Sequence, residues 1–218
     1  MKFVILMSLL TAASAFAAGP AYDELTPDQQ KAVQNGEQVF LTQDVPGNDW
    51  PKAYVYQRMD ATPEEAMAVF TDYNLQKSYV PNLIKSQISK QIDKATAQVD
   101  YTLYIPWPLP NENYTTQDHV SSYNNGESYR VDWTLVRADT TKSSEGNARF
   151  ESLGTGTLLA YYSFVVPGSS LAGFVKGKAV DQIKDTVTAV VNQVQNERLN
   201  NRDLLDQQIQ ALRNALGN

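Results

Sequence analysis

The chain of 218 residues has no cysteine and a single histidine. It therefore has no disulfide, no thiol nucleophile and no thiolate ligand. One histidine leaves no credible transition-metal site, and no cofactor is expected. Basic residues are also scarce. Eighteen Lys and Arg stand against 24 Asp and Glu, a formal charge of −6. That balance supplies no positive field to neutralise phosphates, which argues against nucleic acid as a partner and against charge-driven docking on an anionic membrane. Long hydrophobic runs are missing as well. The longest, residues 3–10, is too short to cross a bilayer, so no integral membrane anchor is expected.

What that short run does fit is export. Met1-Lys2 is a positive start, and Ala15-Phe16-Ala17 is an A-x-A cleavage pattern behind the apolar stretch. The whole reads as a secretory signal peptide cut after Ala17, making the mature protein secreted or periplasmic. Removing residues 1–17 takes away one Lys and leaves 17 basic against 24 acidic groups, a charge of −7. The remaining length suits one domain with appendages.

One stretch organises that domain. Across residues 169–195, apolar residues recur at Leu171, Val175, Ala179, Ile183, Val187, Val190 and Val194. This is the spacing of one face of a long α-helix. Before it lies a polar segment, 18–36, with a short helix over 27–34 capped by Thr26 and started by Pro27. Strands follow at 37–45 and 53–60. Thr62-Pro63-Glu64-Glu65 then opens a helix, with N-cap, first-position proline and acidic first turn in order. A short helical turn over 75–79 stops at Pro81. Six more strands are expected at 83–92, 96–105, 112–123, 128–138, 147–153 and 157–166. Short turns and polar/apolar alternation make the sheet antiparallel with one buried face. After the long helix, Leu205, Ile209, Leu212 and Leu216 mark a separate amphipathic tail over 199–218. Such a tail has three possible uses: docking on the sheet edge, covering a cavity mouth, or recruiting a partner chain.

Several local runs resemble the START-like (SRPBCC, polyketide cyclase-like) superfamily. Residues 55–66, VYQRMDATPEEA, resemble its strand-into-helix signature. Val69-Phe70-Thr71-Asp72-Tyr73 followed by Tyr79-Val80-Pro81-Asn82-Leu83 resembles the segment that leads to its third strand. Pro106-Trp107-Pro108-Leu109-Pro110 resembles its proline-aromatic crossing. The resemblance covers residues 37–196, within a domain expected to span 37–198. It implies an α+β helix-grip fold, a curved antiparallel sheet wrapped around a long C-terminal helix with a hydrophobic cavity between them. It implies a hydrophobic small molecule or lipid as ligand, with cyclase-type enzymes as the alternative class. Lipid-binding members often carry an Arg after the crossing, where this chain has Asn113-Tyr114.

Candidate chemistry is thin. His119 adjoins Asp118, but adjacent strand residues point to opposite faces, so His119 reads as satisfied or exposed and no catalytic residue is assigned. Any enzyme in the cavity needs an inward polar cluster, such as His119 with Tyr114 or Asn113. Asp100, Asp118 and Asp132 read as solvated outer residues, and Gly154-Thr155-Gly156 as a hairpin turn. Aromatics are plentiful. By alternation Tyr101, Leu103, Tyr129, Val131, Trp133, Tyr162 and Phe164 face the long helix, opposed by Leu171, Phe174 and Val175, with Trp107 on a rim loop. These are the expected ligand-binding residues. Residue type alone leaves a filled core and a lined cavity both open; the resemblance favours the cavity. Val187, Val190 and Val194 are expected to pack as plain core. Oligomeric state is not legible.

Overall fold

A computed structural model describes residues 19–168 and 172–217, with the side chains of 172–176 and 178 outside the description. Eight strands form one antiparallel, unclosed sheet: β1 (Val39–Gln43), β2 (Lys52–Met59), β3 (Leu83–Gln91), β4 (Thr96–Leu103), β5 (Glu112–Tyr123), β6 (Ser128–Ala138), β7 (Thr141–Leu153) and β8 (Gly156–Pro167), in the order β1-β2-β8-β7-β6-β5-β4-β3. Register shifts interrupt the β3–β4, β5–β6 and β7–β8 ladders. Such irregularities bend strands and raise their twist, which lets so wide a sheet curve. The helices are α1 (Pro20–Asp23), α2 (Pro27–Gln34), α3 (Pro63–Thr71), α4 (Ala172–Asn200) and α5 (Arg202–Leu216), with a 3-10 turn at Gln76–Ser78. This is the α+β helix-grip arrangement that the resemblance implies.

The concave face carries the main core. Val55, Met59, Val120, Val131, Phe150 and Leu159 from the strands meet Ala66, Val69 and Phe70 of α3. Val187, Val190 and Val194 of α4 are buried there, as the helical stripe predicts. The other face carries a second, smaller core. Ala21, Leu25 and Val33 of the N-terminal helices cover Val39, Tyr56, Leu153, Leu158 and Ala160. The polar segment before β1 thus caps the outside of the sheet.

The tail belongs to the main core. Leu205, Ile209 and Leu212 are buried in it, and α5 packs on α3, α4 and β5. Its apolar stripe is spent within the chain, not kept for a partner. The corner between α4 and α5 is held at Glu65. This carboxylate caps its own helix with Thr62 and receives Arg202 at 2.7 Å and Arg198 at 3.1 Å. Arg213 adds a bidentate pair with Glu64, both contacts 2.7 Å.

Leu205 is fully buried. Leu205→Ala is therefore expected to cost about 2–5 kcal/mol. Chemical denaturation should show one cooperative transition at lower denaturant; an unchanged midpoint would mean that the tail is not part of the core.

Candidate functional site

Strand pairing decides which residues share the space under α4. Tyr101 pairs with Tyr114, Asp118 with Trp133, Val131 with Ala148, and Ala148 with Tyr161. Directly opposed residues project to the same side of a sheet. Trp133 and Tyr161 adjoin the main core, so this side is the concave one. Tyr101, Leu103, Tyr114, Asp118, Tyr129, Val131, Trp133 and Tyr161 therefore all lie on it.

Two expected residues do not. Tyr162 and Phe164 have the opposite parity and face outward. Tyr54 pairs with Tyr162 and its ring stacks on it at 5.1 Å, and the Lys52 ammonium lies 5.9 Å from both the Tyr162 and Phe164 rings. The misreading has a physical cause: β8 is apolar on both faces, because each face has a cover. Tyr161 is the inward residue that alternation alone could not select. Trp107 also departs from expectation. It sits in the loop after β4 with 89% of its surface exposed. Leu171, and the side chains of Phe174 and Val175, lie outside the described residues.

The concave face is filled unevenly. Val131, Phe150, Leu159 and Val187 are sealed completely. Trp133, Leu135, Leu103, Tyr114 and Tyr161 are inward yet keep accessible surface. The hydroxyls of Tyr114 and Tyr161 nevertheless lie deep among protein atoms. These rings are only partly covered. Trp133 and Tyr161 meet at 5.2 Å and Tyr101 and Tyr114 at 5.1 Å on the same face. Gly146 makes room for the indole, since a Cβ there would collide with the Trp133 ring and the Tyr162 carbonyl. The segment before β3 is fastened to α4: Gln182 donates to the Pro81 carbonyl at 2.6 Å and accepts from Asn82 at 2.5 Å.

At the centre sits Asp118, 4% exposed rather than solvated as expected. Its parity gives it away in retrospect: it alternates in phase with Tyr114 and Val120. Burial pushes its carboxyl up to about 7, against the Thr116 hydroxyl that donates to it at 2.5 Å. The Tyr73 hydroxyl lies beside the carboxyl, but no hydrogen bond of ordinary geometry closes between them. Burial, then the nearby Asp118 charge, also raises Tyr101 far above the usual phenol range. His119 is exposed on the other face, where its Nδ1 meets the Thr96 hydroxyl at 2.9 Å. Asn113 is exposed too, so the inward cluster of His119 with Tyr114 or Asn113 is not formed. Asp100 and Asp132 face outward, engaged by Arg137 and Arg130 respectively. Two outer grooves, of about 370 and 320 Å³, are lined by such paired charges. Among the described residues no group of acids and histidine is placed to hold a metal, and no helix is long and apolar enough to cross a membrane.

A carboxyl raised on folding binds its proton more tightly in the folded state. Stability is then lost as pH rises from about 4, the ordinary carboxyl value, to about 7. Asp118→Asn should remove that part of the slope and leave the variant more stable than the parent above pH 7, by roughly 2–4 kcal/mol. Parallel pH-dependent unfolding curves for the two proteins would refute this burial-driven shift.

No family model and no curated protein matches the chain. Solved structures do. A STAR-related lipid transfer protein from Xanthomonas axonopodis aligns with TM-score 0.65 at 16% identity, over 72% of this chain and 93% of that one. Human StAR-related lipid transfer protein 5 aligns with TM-score 0.64 at 12% identity, over 75% and 84%. The Zhui aromatase/cyclase from a Streptomyces species aligns with TM-score 0.55 at 11% identity, over 74% and 96%. At such identities the likeness speaks for the fold, and together with the topology above it makes this chain a START-like helix-grip protein in architecture.

Proposed function

We propose that this protein is an exported carrier that binds a hydrophobic small molecule, a lipid, between its sheet and α4. The observation that carries the reading is the incompletely covered aromatic band at Trp133, Tyr114 and Tyr161, on the same concave face as the fully sealed Val131, Phe150 and Leu159. Apolar side chains that keep accessible surface inside a fold gain roughly 25 cal/mol for each Å² that a ligand covers, before ordering costs. The lipid transfer proteins among the structural neighbours support the same reading, and the signal sequence supports export. Entry of a ligand would involve the segment over 73–82 or the loop over 106–111. Gln182 ties the first of these to α4, so opening there breaks two hydrogen bonds.

The enzyme alternative now has a different candidate from His119. A buried carboxyl with a value near 7 is a competent proton donor or acceptor at neutral pH, and Asp118 is the group that would serve. The interaction-module alternative has lost its main support, since the tail's apolar stripe is occupied.

Protein purified from its source cell should carry a co-purifying hydrophobic molecule in native mass spectrometry, released on denaturation. Protein that is always ligand-free, and that leaves the fluorescence of an apolar dye unchanged, would overturn the carrier reading. Export is checked separately: the N-terminal sequence of the protein recovered outside the cytoplasm should begin at Ala18, and a chain that keeps Met1 in the cytoplasm would reject it.

A further inference from the structure

Under α5, beside the main core, oxygen-bearing side chains from separate elements meet. Glu197 of α4 is fully buried. Its Oε1 accepts from the Gln193 amide at 2.8 Å and from the Gln208 amide at 3.4 Å, while its Oε2 has no partner. Gln208 of α5 is buried too. The same NH2 donates at 3.0 Å to Asp72, the residue that ends α3, and its Oε1 is unpartnered. The hydroxyl of Tyr79, which closes the 3-10 turn, is a further sealed oxygen without a partner. Burial raises that phenol far above its usual range, and the charges of Asp72 and Glu197 act on it in the same direction.

No basic residue compensates the two acids. The arginines of this corner are engaged elsewhere, Arg198 and Arg202 by Glu65 and Arg213 by Glu64. Burial raises the Glu197 carboxyl; among the charges of the described residues only Asp72 acts on it, also upward. Buried polar groups are nearly always paired, and a buried charge without a counter-charge is costly. Glu197 Oε2, Gln208 Oε1 and the Tyr79 hydroxyl are all oxygens with lone pairs to give.

We propose that Asp72, Glu197, Gln208 and Tyr79 form a calcium site that fastens α5 to α3 and α4. Two acids are too few to hold a metal alone. The amide and phenol oxygens complete a set of hard, oxygen-only donors, which matches a hard divalent cation. A half-turn of the Gln208 amide aims its Oε1 between the carboxylates, an arrangement that only a cation there stabilises. Calcium fits better than magnesium. It accepts irregular shells that include water, whereas magnesium demands a regular octahedron and gives up its waters reluctantly. Asp72 keeps accessible surface, so an ion can enter from its side. A water molecule is the competing occupant: it would serve the lone pairs but leave both charges uncompensated.

Calcium titration of the mature protein, stripped with a chelator and returned to buffer, tests the inference. With so few charged ligands the dissociation constant should be about 0.1–1 mM. At tenfold that concentration the melting temperature should rise by about 3–6 °C. Terbium should give saturable emission on excitation of tyrosine, displaced by excess calcium but not by the same amount of magnesium. Glu197→Gln keeps the shape of the side chain and removes its charge; it should lose both responses. Asp72→Asn should weaken both about tenfold and carries the test if Glu197→Gln does not fold. A melting shift no larger than that given by sodium chloride of equal ionic strength, or responses that survive in Glu197→Gln, overturns the calcium site and leaves water as the occupant.

Discussion

The structure depends on one constraint: its sheet is apolar on both sides at β8. Leu159 and Tyr161 face the main core, while Leu158 and Ala160 face outward and are buried as well. A strand of this kind is stable only between two covers. The chain supplies the inner cover from α3, α4 and α5, and the outer one from the short helices at its start. Glu151 ties that outer cover in place: fully buried, it accepts the Ala21 amide at 2.8 Å and the Tyr123 hydroxyl at 2.6 Å. Glu24 continues the tie through paired 2.8 Å contacts with Arg149.

The inner cover is asymmetric. The second half of α4 is pressed onto the sheet by α5, which itself is clamped at Glu64 and Glu65. Glu65 combines a capping box with two arginines, so one carboxylate fixes the start of α3, the end of α4 and the start of α5. Although it is buried, these donors hold its carboxyl below the usual range. Leu205, Ile209 and Leu212 are buried over this corner. The inward rings of Trp133, Tyr114 and Tyr161 keep accessible surface instead. In the proposed reading, a binding space beside those rings does not undermine the core, because the packing that sets stability is concentrated elsewhere.

Much of the fold was legible because its signals are local. The caps at Thr26 and Thr62 mark two helix starts, and the boundaries of β5 and β6 follow from turn residues and alternation. The stripe of α4 correctly singled out Val187, Val190 and Val194. Side-chain facing was legible only where the opposite face is polar. Along β6, Tyr129, Val131 and Trp133 alternate with Arg130, Asp132 and Thr134, and their inward direction was readable. Along β8 both faces are apolar, so period-two alternation carries no direction, and Tyr162 was chosen where Tyr161 belongs. The cover responsible, α1 and α2, reads as a polar segment with few anchors. Trp107 was misplaced because an aromatic residue between prolines carries no information about which way a loop turns.

Asp118 is the more instructive failure. An acid in a strand is expected in water, since burying a charge without a partner is costly. In β5 the polar and apolar residues are mixed on both faces, and that prior outweighed the in-phase positions of Tyr114 and Val120. The structure keeps the acid inside by surrounding it with hydroxyls instead of cations, and by letting its proton affinity rise. A sequence optimised only for stability would place an apolar residue there, because replacing a buried polar group together with its partners by well-packed carbon is often neutral or better. The neighbouring phenols make the same point, as Phe would fill their volume without an orphan hydroxyl. Asp118 and the unpartnered hydroxyls of Tyr73 and Tyr79 break this rule beside the main core, and the fully buried Glu197 breaks it under α5, so the inner cover holds polar groups that stability alone does not select.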